Sequence, residues 1–227
     1  NGNGIVLNEG MDTDGDGRLT VDDYEINNQG YVIPAGTQGT ADEQPVYKVN
    51  ENGQRVVTRI GNTQPDFTMG FRSNFRWKGF GVYALVDWSQ GGDVYNYTKQ
   101  LLYFNYRHKD AQKFAENSGK HYSYTGGSGN IYNAGAASSY FVEDGSFVKL
   151  REVSLSYTFD QSQLSAVFGN SVEQIKLGVK GRNLLTFTDY TGWDPEVGLA
   201  SNATNFRIDE YAYPNFRTYT GSLSVRF

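Results

Sequence analysis

The chain has 227 residues, a formal net charge of −5 and no cysteine. This length allows one or two domains, and the lack of cysteine excludes disulfides, thiolate metal sites and cysteine nucleophiles. The negative charge and the absence of lysine or arginine runs argue against a nucleic-acid partner. Aromatic residues make up 15% of the chain and 27 residues are glycine, yet the mean hydropathy is only −0.57. This composition is typical of a sheet with one face in lipid and the other in water.

The chain begins Asn1-Gly2-Asn3-Gly4, without a methionine or a signal peptide, so we expect a fragment or a processed piece. No run approaches the 18 apolar residues of a membrane-spanning helix. Gly, Asn, Asp, Thr and Gln dominate residues 1–66. We therefore predict that this region is a long loop.

An acidic segment in this loop has the spacing of a calcium-binding loop. Asp12, Asp14 and Asp16 stand at positions 1, 3 and 5 of the twelve-residue pattern, and Gly17 follows at position 6. Alternating carboxylates on a tight loop bring several hard oxygens to one cation. Position 7 offers a backbone carbonyl, and position 12 carries Asp in place of the usual Glu. The sequence thus predicts a structural Ca²⁺ loop over 12–23, with ligands from Asp12, Asp14, Asp16, Arg18 and Asp23.

The residues that flank this loop do not form helical patterns, so a calcium sensor with paired helices is not predicted. Gly10 precedes the loop, and Asn27-Asn28-Gln29-Gly30 follows it. The alternative is a solvated turn of Asp and Gly residues that binds no metal.

From Phe67 onward, apolar and polar residues alternate with the period of a β-strand. Lys78-Gly79 interrupts the alternation as a hairpin turn. Runs of about ten residues fit tilted strands across a bilayer, whereas strands of soluble sandwiches usually have about 5–6 residues. The predicted strands are 67–77, 80–89, 147–159, 174–187 and 217–227. Long loops occupy 90–145 and 188–215, and a medium connection occupies 160–173.

The two faces of these strands differ in chemistry. One face carries the cationic residues Arg72, Arg76, Lys176, Lys180, Arg182 and Arg226. The other face is aliphatic, with aromatic residues near the strand ends, where membrane barrels place their aromatic girdles. A cation facing lipid near the midplane would cost roughly 2–4 kcal/mol, whereas a water-filled lumen keeps it solvated. The sequence therefore predicts an all-β, antiparallel transmembrane β-barrel segment over 67–227.

No set of residues predicts an enzyme. His108 and His121 lie in a polar loop, where solvated side chains are expected. Asp194 and Glu196 flank Pro195, and a carboxylate pair can indicate a glycosidase. No nucleophile and base accompany them, so we assign no catalytic residue.

Five separated blocks of the chain resemble the C-terminal part of the SusC/RagA family of TonB-dependent outer-membrane transporters from Bacteroidetes. The blocks are residues 12–17, 65–71, 140–151, 181–196 and 213–227. The resemblance implies a 22-stranded barrel with an N-terminal plug. This chain would supply about five C-terminal strands, and the remaining barrel and plug would lie elsewhere.

The same resemblance implies a function and its partners. The transporter would import oligosaccharides or peptides through the outer membrane, with energy from a TonB complex that contacts parts absent from this chain. A SusD-like surface lipoprotein would cap the barrel. If Phe227 lies at the periplasmic end, loops 1–66, 90–145 and 188–215 are extracellular.

One alternative stays open from the sequence: a secreted, calcium-stabilised β-sandwich that binds carbohydrate. Its strands would alternate in the same way, but a second sheet would cover their apolar face. The two hypotheses differ in the environment of five residues, which are Phe71, Val82, Leu155, Leu177 and Leu223.

Overall fold

A computed structural model describes residues 15, 20–28, 32–40, 42–43, 45–46, 52, 54, 56–109, 134–197 and 207–227. The chain divides into two compact units, one of residues 1–61 and 96–142 and the other of residues 62–95 and 143–227. Among the described residues, no helix is long and apolar enough to cross a membrane.

The described residues of the first unit include two short strands and one α-helix. They are β1 (Tyr24–Ile26), β2 (Val32–Pro34) and α1 (Tyr97–Phe104). β1 and β2 pair antiparallel. Asn96 caps α1, because its side-chain oxygen accepts a hydrogen bond from the backbone N–H of Lys99 at 2.9 Å. Both β1 and β2 lie in the region predicted to be loop.

The second unit is built on long strands. Its elements are β3 (Phe67–Trp77), β4 (Phe80–Gln90), β5 (Asp93–Tyr95), β7 (Phe147–Asp160), α2 (Gln161–Phe168), β8 (Gln174–Phe187) and β9 (Thr218–Arg226). The short β6 (Val142–Asp144) precedes β7. β3, β4, β7, β8 and β9 form one antiparallel sheet in that order. This confirms the predicted strands, with bounds that differ by no more than one residue.

A two-residue turn joins β3 to β4. Lys78 has φ 43° and Gly79 has φ 86°, and two positive φ angles define the type I′ turn that matches the twist of a hairpin. A Cβ on Gly79 would lie 2.7 Å from the backbone oxygen of Thr158. Glycine at this position therefore gives both the required backbone conformation and the close approach of β7.

One face of the sheet is apolar and uncovered. Leu155 is 50% exposed, Val179 is 60% exposed and Leu223 is 67% exposed. Phe71, Val82 and Leu177 are exposed as well. Within the described residues no second sheet packs on this face, as the β-sandwich alternative would require. The exposed apolar face is the one predicted to contact lipid.

A β-bulge in β7 changes which of its residues lie on the charged face of the sheet, opposite the apolar face. Asp87 pairs with Lys149 and Leu85 pairs with Glu152, so Arg151 is an extra residue on β7 relative to β4. Asp87 and Leu85 lie on one face of β4 because they are two residues apart. Lys149 and Glu152 therefore share that face although they are three residues apart. This β-bulge was not predicted, because it interrupts the alternation at only one position.

A short capped helix lies in the connection between β7 and β8. α2 occupies most of the predicted 160–173 connection. Asp160 caps it in a capping box, in which its side chain accepts from the backbone of Gln163 and the Gln163 side chain accepts from the backbone of Asp160. Leu164 is the buried residue of this helix. The connection remains short, as expected for the end of a barrel opposite the long loops.

Candidate functional site

Charged residues of two strands meet a loop on the charged face of the sheet. β4 supplies Asp87, and β7 supplies Lys149 and Arg151. The segment 188–197 supplies two carboxylates after β8. We call this group the charge cluster, and its members are Asp87, Lys149, Arg151, Asp194 and Glu196.

The ion pairs of the charge cluster share their partners. The Lys149 Nζ donates to Asp194 Oδ1 at 2.5 Å and to Glu196 Oε2 at 2.6 Å. The Arg151 guanidinium donates to both carboxylate oxygens of Glu196, with 2.6 Å between Nη1 and Oε2. Its Nε donates to Asp87 Oδ2 at 2.7 Å. Because charge-assisted and bidentate bonds are the strongest of their kind, this network fixes the segment 188–197 to the sheet.

The charge cluster is largely removed from water. Lys149 is 2% exposed and Asp194 is 6% exposed. Burial by itself would raise the pKa of Glu196, but the hydrogen bonds from Arg151 and Lys149 outweigh it and hold that pKa below its ordinary value. Both cations also lie over the Phe147 ring, with 5.4 Å from the Lys149 Nζ to the ring centroid. Glu196 is therefore ionised at neutral pH and paired with two cations.

Other hydrogen bonds hold the segment 188–197 in place. The Thr188 hydroxyl donates to the backbone oxygen of Ser146 at 2.7 Å. The backbone N–H and the hydroxyl of Thr191 donate to the Glu143 carboxylate, each at 2.8 Å. The backbone N–H of Val197 donates to the backbone oxygen of Asp194 at 3.1 Å and closes a turn. The two carboxylates thus reach the sheet from a braced loop.

A small apolar core lies beside the charge cluster. Val94, Tyr190 and Val197 are its buried members. The Tyr190 hydroxyl donates to Asp209 Oδ2 at 2.6 Å. Burial, followed by this bond to a carboxylate, raises the pKa of Tyr190. The phenol stays neutral as a donor and links the segment 188–197 to the residues before β9.

A second set of ion pairs lies farther along the charged face of the sheet. Glu152 accepts from Lys180 at 2.7 Å and from Arg182 at 3.0 Å. The sequence predicted Lys180 and Arg182 on the charged face. The structure confirms this face and adds their counterion, because the β-bulge turns Glu152 toward the same side.

The predicted calcium loop lies almost wholly outside the described residues. This applies to Asp12, Asp14, Asp16 and Arg18. Asp23 is described and buried, in a single turn of 3₁₀ helix, and its Oδ2 accepts from the backbone N–H of Thr20 at 2.7 Å. Among the described residues, no three acidic or histidine side chains are grouped to hold a metal. The calcium site stays a prediction.

Sequence reasoning did not find the charge cluster. From the sequence, Asp194 and Glu196 were considered only as a carboxylate pair that could indicate a glycosidase, and no catalytic role was assigned to them. The structure pairs them with Lys149 and Arg151 and not with a catalytic partner. One signal was available, because two cations two residues apart lie in one block of the family resemblance and two carboxylates two residues apart lie in another.

The fold and the site together define a class of protein. A sheet of long antiparallel strands has one exposed apolar face and one charged face, on which a loop is held by ion pairs. This is the construction of the wall of an outer-membrane β-barrel.

Comparisons with known proteins agree with this class. The chain is 34% identical over 177 residues to TonB-dependent receptor P3 of Formosa agariphila, with 74% of the chain and 17% of that protein covered. It is 28% identical over 196 residues to TonB-dependent receptor P26 of the same organism, with 78% and 19% covered. These sequence matches confirm the resemblance to TonB-dependent receptors. No protein-family model matches.

Solved structures give the same result for the fold. The chain resembles a chain of the RagAB peptide importer in the closed-closed state with a TM-score of 0.53 and 20% identity, which covers 91% of this chain and 25% of that one. A RagAB peptide transporter structure gives a TM-score of 0.57, with 89% and 22% covered. The chain therefore has the fold of part of a SusC/RagA-type receptor, and it spans about a fifth of the length of its curated relatives.

Proposed function

We propose that the chain is the C-terminal part of a TonB-dependent importer that takes up nutrients through the outer membrane. The observation that carries the proposal is the two-faced sheet, with exposed apolar residues such as Leu155 and Leu223 on one side and paired charges on the other. Lipid requires the first face and an aqueous lumen allows the second. An open sheet edge is not tolerated in lipid, so the remaining strands and the plug must complete the barrel.

In this proposal the two ends of the sheet have different roles. The Lys78-Gly79 turn and the α2 connection face the periplasm, and loops 1–66, 90–145 and 188–215 are extracellular. The extracellular loops and a SusD-like lipoprotein lid enclose an oligosaccharide or a peptide, and plug movement driven by a TonB complex releases it through the lumen. The RagAB structures are named as those of a peptide importer, which supports the peptide alternative.

The charge cluster has a place in this mechanism. It lies where β4 and β7 meet the long loops, and it holds the segment 188–197 against the charged face. A loop held in this way narrows the lumen at its extracellular end without closing it. The segment would therefore form part of the fixed wall past which cargo moves.

The test uses the full-length receptor that contains this chain, expressed in its native cells. Fractionation should place it in the outer membrane, and its extraction should require detergent. Uptake of labelled oligosaccharides or peptides should fall when the gene is deleted and when an uncoupler removes the energy source of the TonB complex. Recovery in the cytosol or inner membrane, or uptake that is insensitive to the uncoupler, would contradict the proposal.

A structural calcium ion in the 12–23 loop is a further part of the proposal. The loop would hold it with the carboxylates of Asp12, Asp14, Asp16 and Asp23 and the backbone oxygen of Arg18. The buried Asp23 carboxylate supports this arrangement, because it accepts a hydrogen bond from the backbone N–H of Thr20, a residue of the same predicted loop. The ion would rigidify a long extracellular loop and take no part in chemistry.

A further inference from the structure

A short segment of the chain before β9 is docked on β5 by few contacts. We propose that residues 207–209, which we call the clip, release from β5 and redock, and that Arg207 keeps the docked state marginal. This inference rests on the proposed import function, because that function places the clip in the extracellular loop 188–215. The inference adds a movable part to a loop whose segment 188–197 is fixed by the charge cluster.

Two backbone hydrogen bonds hold the clip on β5. The N–H of Tyr95 donates to the oxygen of Arg207 at 2.9 Å, and the N–H of Asp209 donates to the oxygen of Tyr95 at 2.9 Å. These bonds form a single parallel bridge between Tyr95 and Ile208. The Tyr190 hydroxyl adds its hydrogen bond to Asp209 Oδ2 at 2.6 Å. Because both backbone bonds are made by Tyr95, the clip can release as one unit.

The backbone of Arg207 opposes this docking. Its φ is 61°, in the left-handed region, where the Cβ of a side chain crowds the following carbonyl oxygen. A residue keeps such a conformation only where the surrounding contacts hold it, and strained residues of this kind are frequent in segments that switch. Release of the clip would let Arg207 return to an ordinary backbone conformation.

The side chain of Arg207 opposes the docking as well. Arg207 is 2% exposed, yet the only hydrogen bond described for its guanidinium runs from Nη1 to the Gly145 oxygen, at 3.4 Å. The buried Nε has no partner in the described part of the chain. A buried donor without an acceptor loses the free energy of its hydration. Burial accordingly lowers the pKa of Arg207, although Glu196, Asp144 and Asp93 favour its charge.

The guanidinium has little room to find better partners while the clip is docked. A Cβ at Gly145 would lie 2.5 Å from Arg207 Nη1 and 2.6 Å from the Gly92 oxygen, so the guanidinium packs closely against backbone. Because the Nε is buried, water reaches it only when the clip releases. The docked state is therefore favoured by the bridge to β5 and the released state by Arg207. Two states that are stabilised by different contacts are the basis of a conformational switch.

The experiment measures residue-resolved hydrogen exchange in the full-length receptor, purified in detergent with its lid protein. In the wild type the amides of Tyr95 and Asp209 should share one protection factor, at least a hundredfold below that of amides in the middle of β7, because one release exposes both. Arg207→Met removes the buried charge and keeps a long apolar side chain, so both protection factors should rise at least tenfold. Arg226→Met is the matched control and should change neither, because Arg226 is exposed and lies at the end of β9 far from the clip.

A second variant tests the docked state even if Arg207→Met fails to fold. Tyr190→Phe keeps the aromatic ring and removes only the hydroxyl that donates to Asp209. It should lower the protection factors of the Tyr95 and Asp209 amides severalfold.

Three results would overturn the inference. The first is protection of the two clip amides equal to that of the β7 amides in the wild type. The second is protection that is unchanged or lower in Arg207→Met, which would mean that Arg207 does not oppose docking. The third is unchanged protection in Tyr190→Phe. None of these measurements depends on cargo, so the import function is tested separately by the location of the receptor and by the effect of the uncoupler on uptake.

Discussion

Arg151 and Glu196 lie 45 positions apart and are joined by two hydrogen bonds from one guanidinium to the two oxygens of one carboxylate. Arg151 is the extra residue of the β7 bulge, and Glu196 lies near the end of the braced segment 188–197. The pair joins two of the blocks that carry the family resemblance. The bulge and the loop therefore act together, because the bulge turns Arg151 to the side from which the loop carboxylate approaches.

Removing the lysine of the charge cluster should destabilise the protein strongly. Lys149→Met leaves the Asp194 carboxylate buried without its cation, and breaking a buried ion pair in this way costs about 3–5 kcal/mol. Urea unfolding of the full-length receptor in micelles measures this change. The double variant Lys149→Met/Asp194→Asn should recover much of the loss, since Asn keeps the acceptor for the Glu196 backbone N–H. A loss below about 1 kcal/mol in the single variant would contradict a buried pair.

Acid should release the segment 188–197. Because hydrogen bonds from Arg151 and Lys149 lower the pKa of Glu196 below its ordinary value of 4.5, the stabilisation is present above that value. It is lost as the pH falls through the lower folded-state pKa. The amide protection factors of residues 188–197 should therefore fall only below about pH 4.5. In Glu196→Gln these protection factors should already be low at neutral pH. Release of the wild-type segment near neutral pH would contradict this assignment.

The hairpin turn should tolerate a substitution at Lys78 but not one at Gly79. Gly79→Ala places a Cβ 2.7 Å from the Thr158 oxygen at a φ of 86°, and such strain costs about 1–3 kcal/mol. Lys78→Asn should be neutral or slightly stabilising, because Asn followed by Gly is the preferred type I′ sequence. Urea midpoints and the yield of folded receptor in outer membranes measure the difference. Equal midpoints for the two variants would argue against the observed turn.

A new charge should lower the free energy of unfolding at one residue of β7 and have little effect at the next. Leu155→Lys places an ammonium on the apolar face and should cost roughly 2–4 kcal/mol if this face meets lipid near the midplane. Ser156→Lys places it on the opposite face, where the paired residues Gly81 and Gly178 carry no side chains. Reversible unfolding in phospholipid vesicles measures both. A similar small effect at both positions would mean that Leu155 faces water.

Calcium should stabilise the N-terminal loop if the 12–23 prediction is correct. Removal of calcium by a chelator should expose this loop to proteolysis in the full-length receptor, and added Ca²⁺ should restore protection where Mg²⁺ does not. Asp14→Asn should weaken this protection, whereas Asp22→Asn, beside the predicted ligand Asp23, should not. Protection that is the same with and without chelator would leave the loop as a solvated acidic turn.

The long strands could be predicted because each alternates residue by residue between lipid and water. That constraint acts on every position of β3 and β9, so the period of two is visible without knowledge of neighbouring strands. The turn at Lys78-Gly79 could be predicted for a similar local reason, since positive φ angles restrict the residue types. The helices α1 and α2 were not predicted, because eight-residue helices carry too few turns for a clear period.

The charge cluster could not be predicted in the same way. Lys149 could face lipid or lumen depending on the bulge at Arg151, and a bulge leaves almost no trace in the alternation. The carboxylates of Asp194 and Glu196 lie in a loop whose path depends on Thr191, Tyr190 and their partners. Ion pairing over such distances depends on where the backbone brings side chains together.

The sequence by itself determined the strands, the turn and the two faces of the sheet, because lipid and water act on each side chain independently. Only the tertiary structure decided which charges pair and where the loop rests on the wall. Those features depend on contacts between residues far apart in the chain. These contacts form, and stabilise the fold, only after the strands have paired in register.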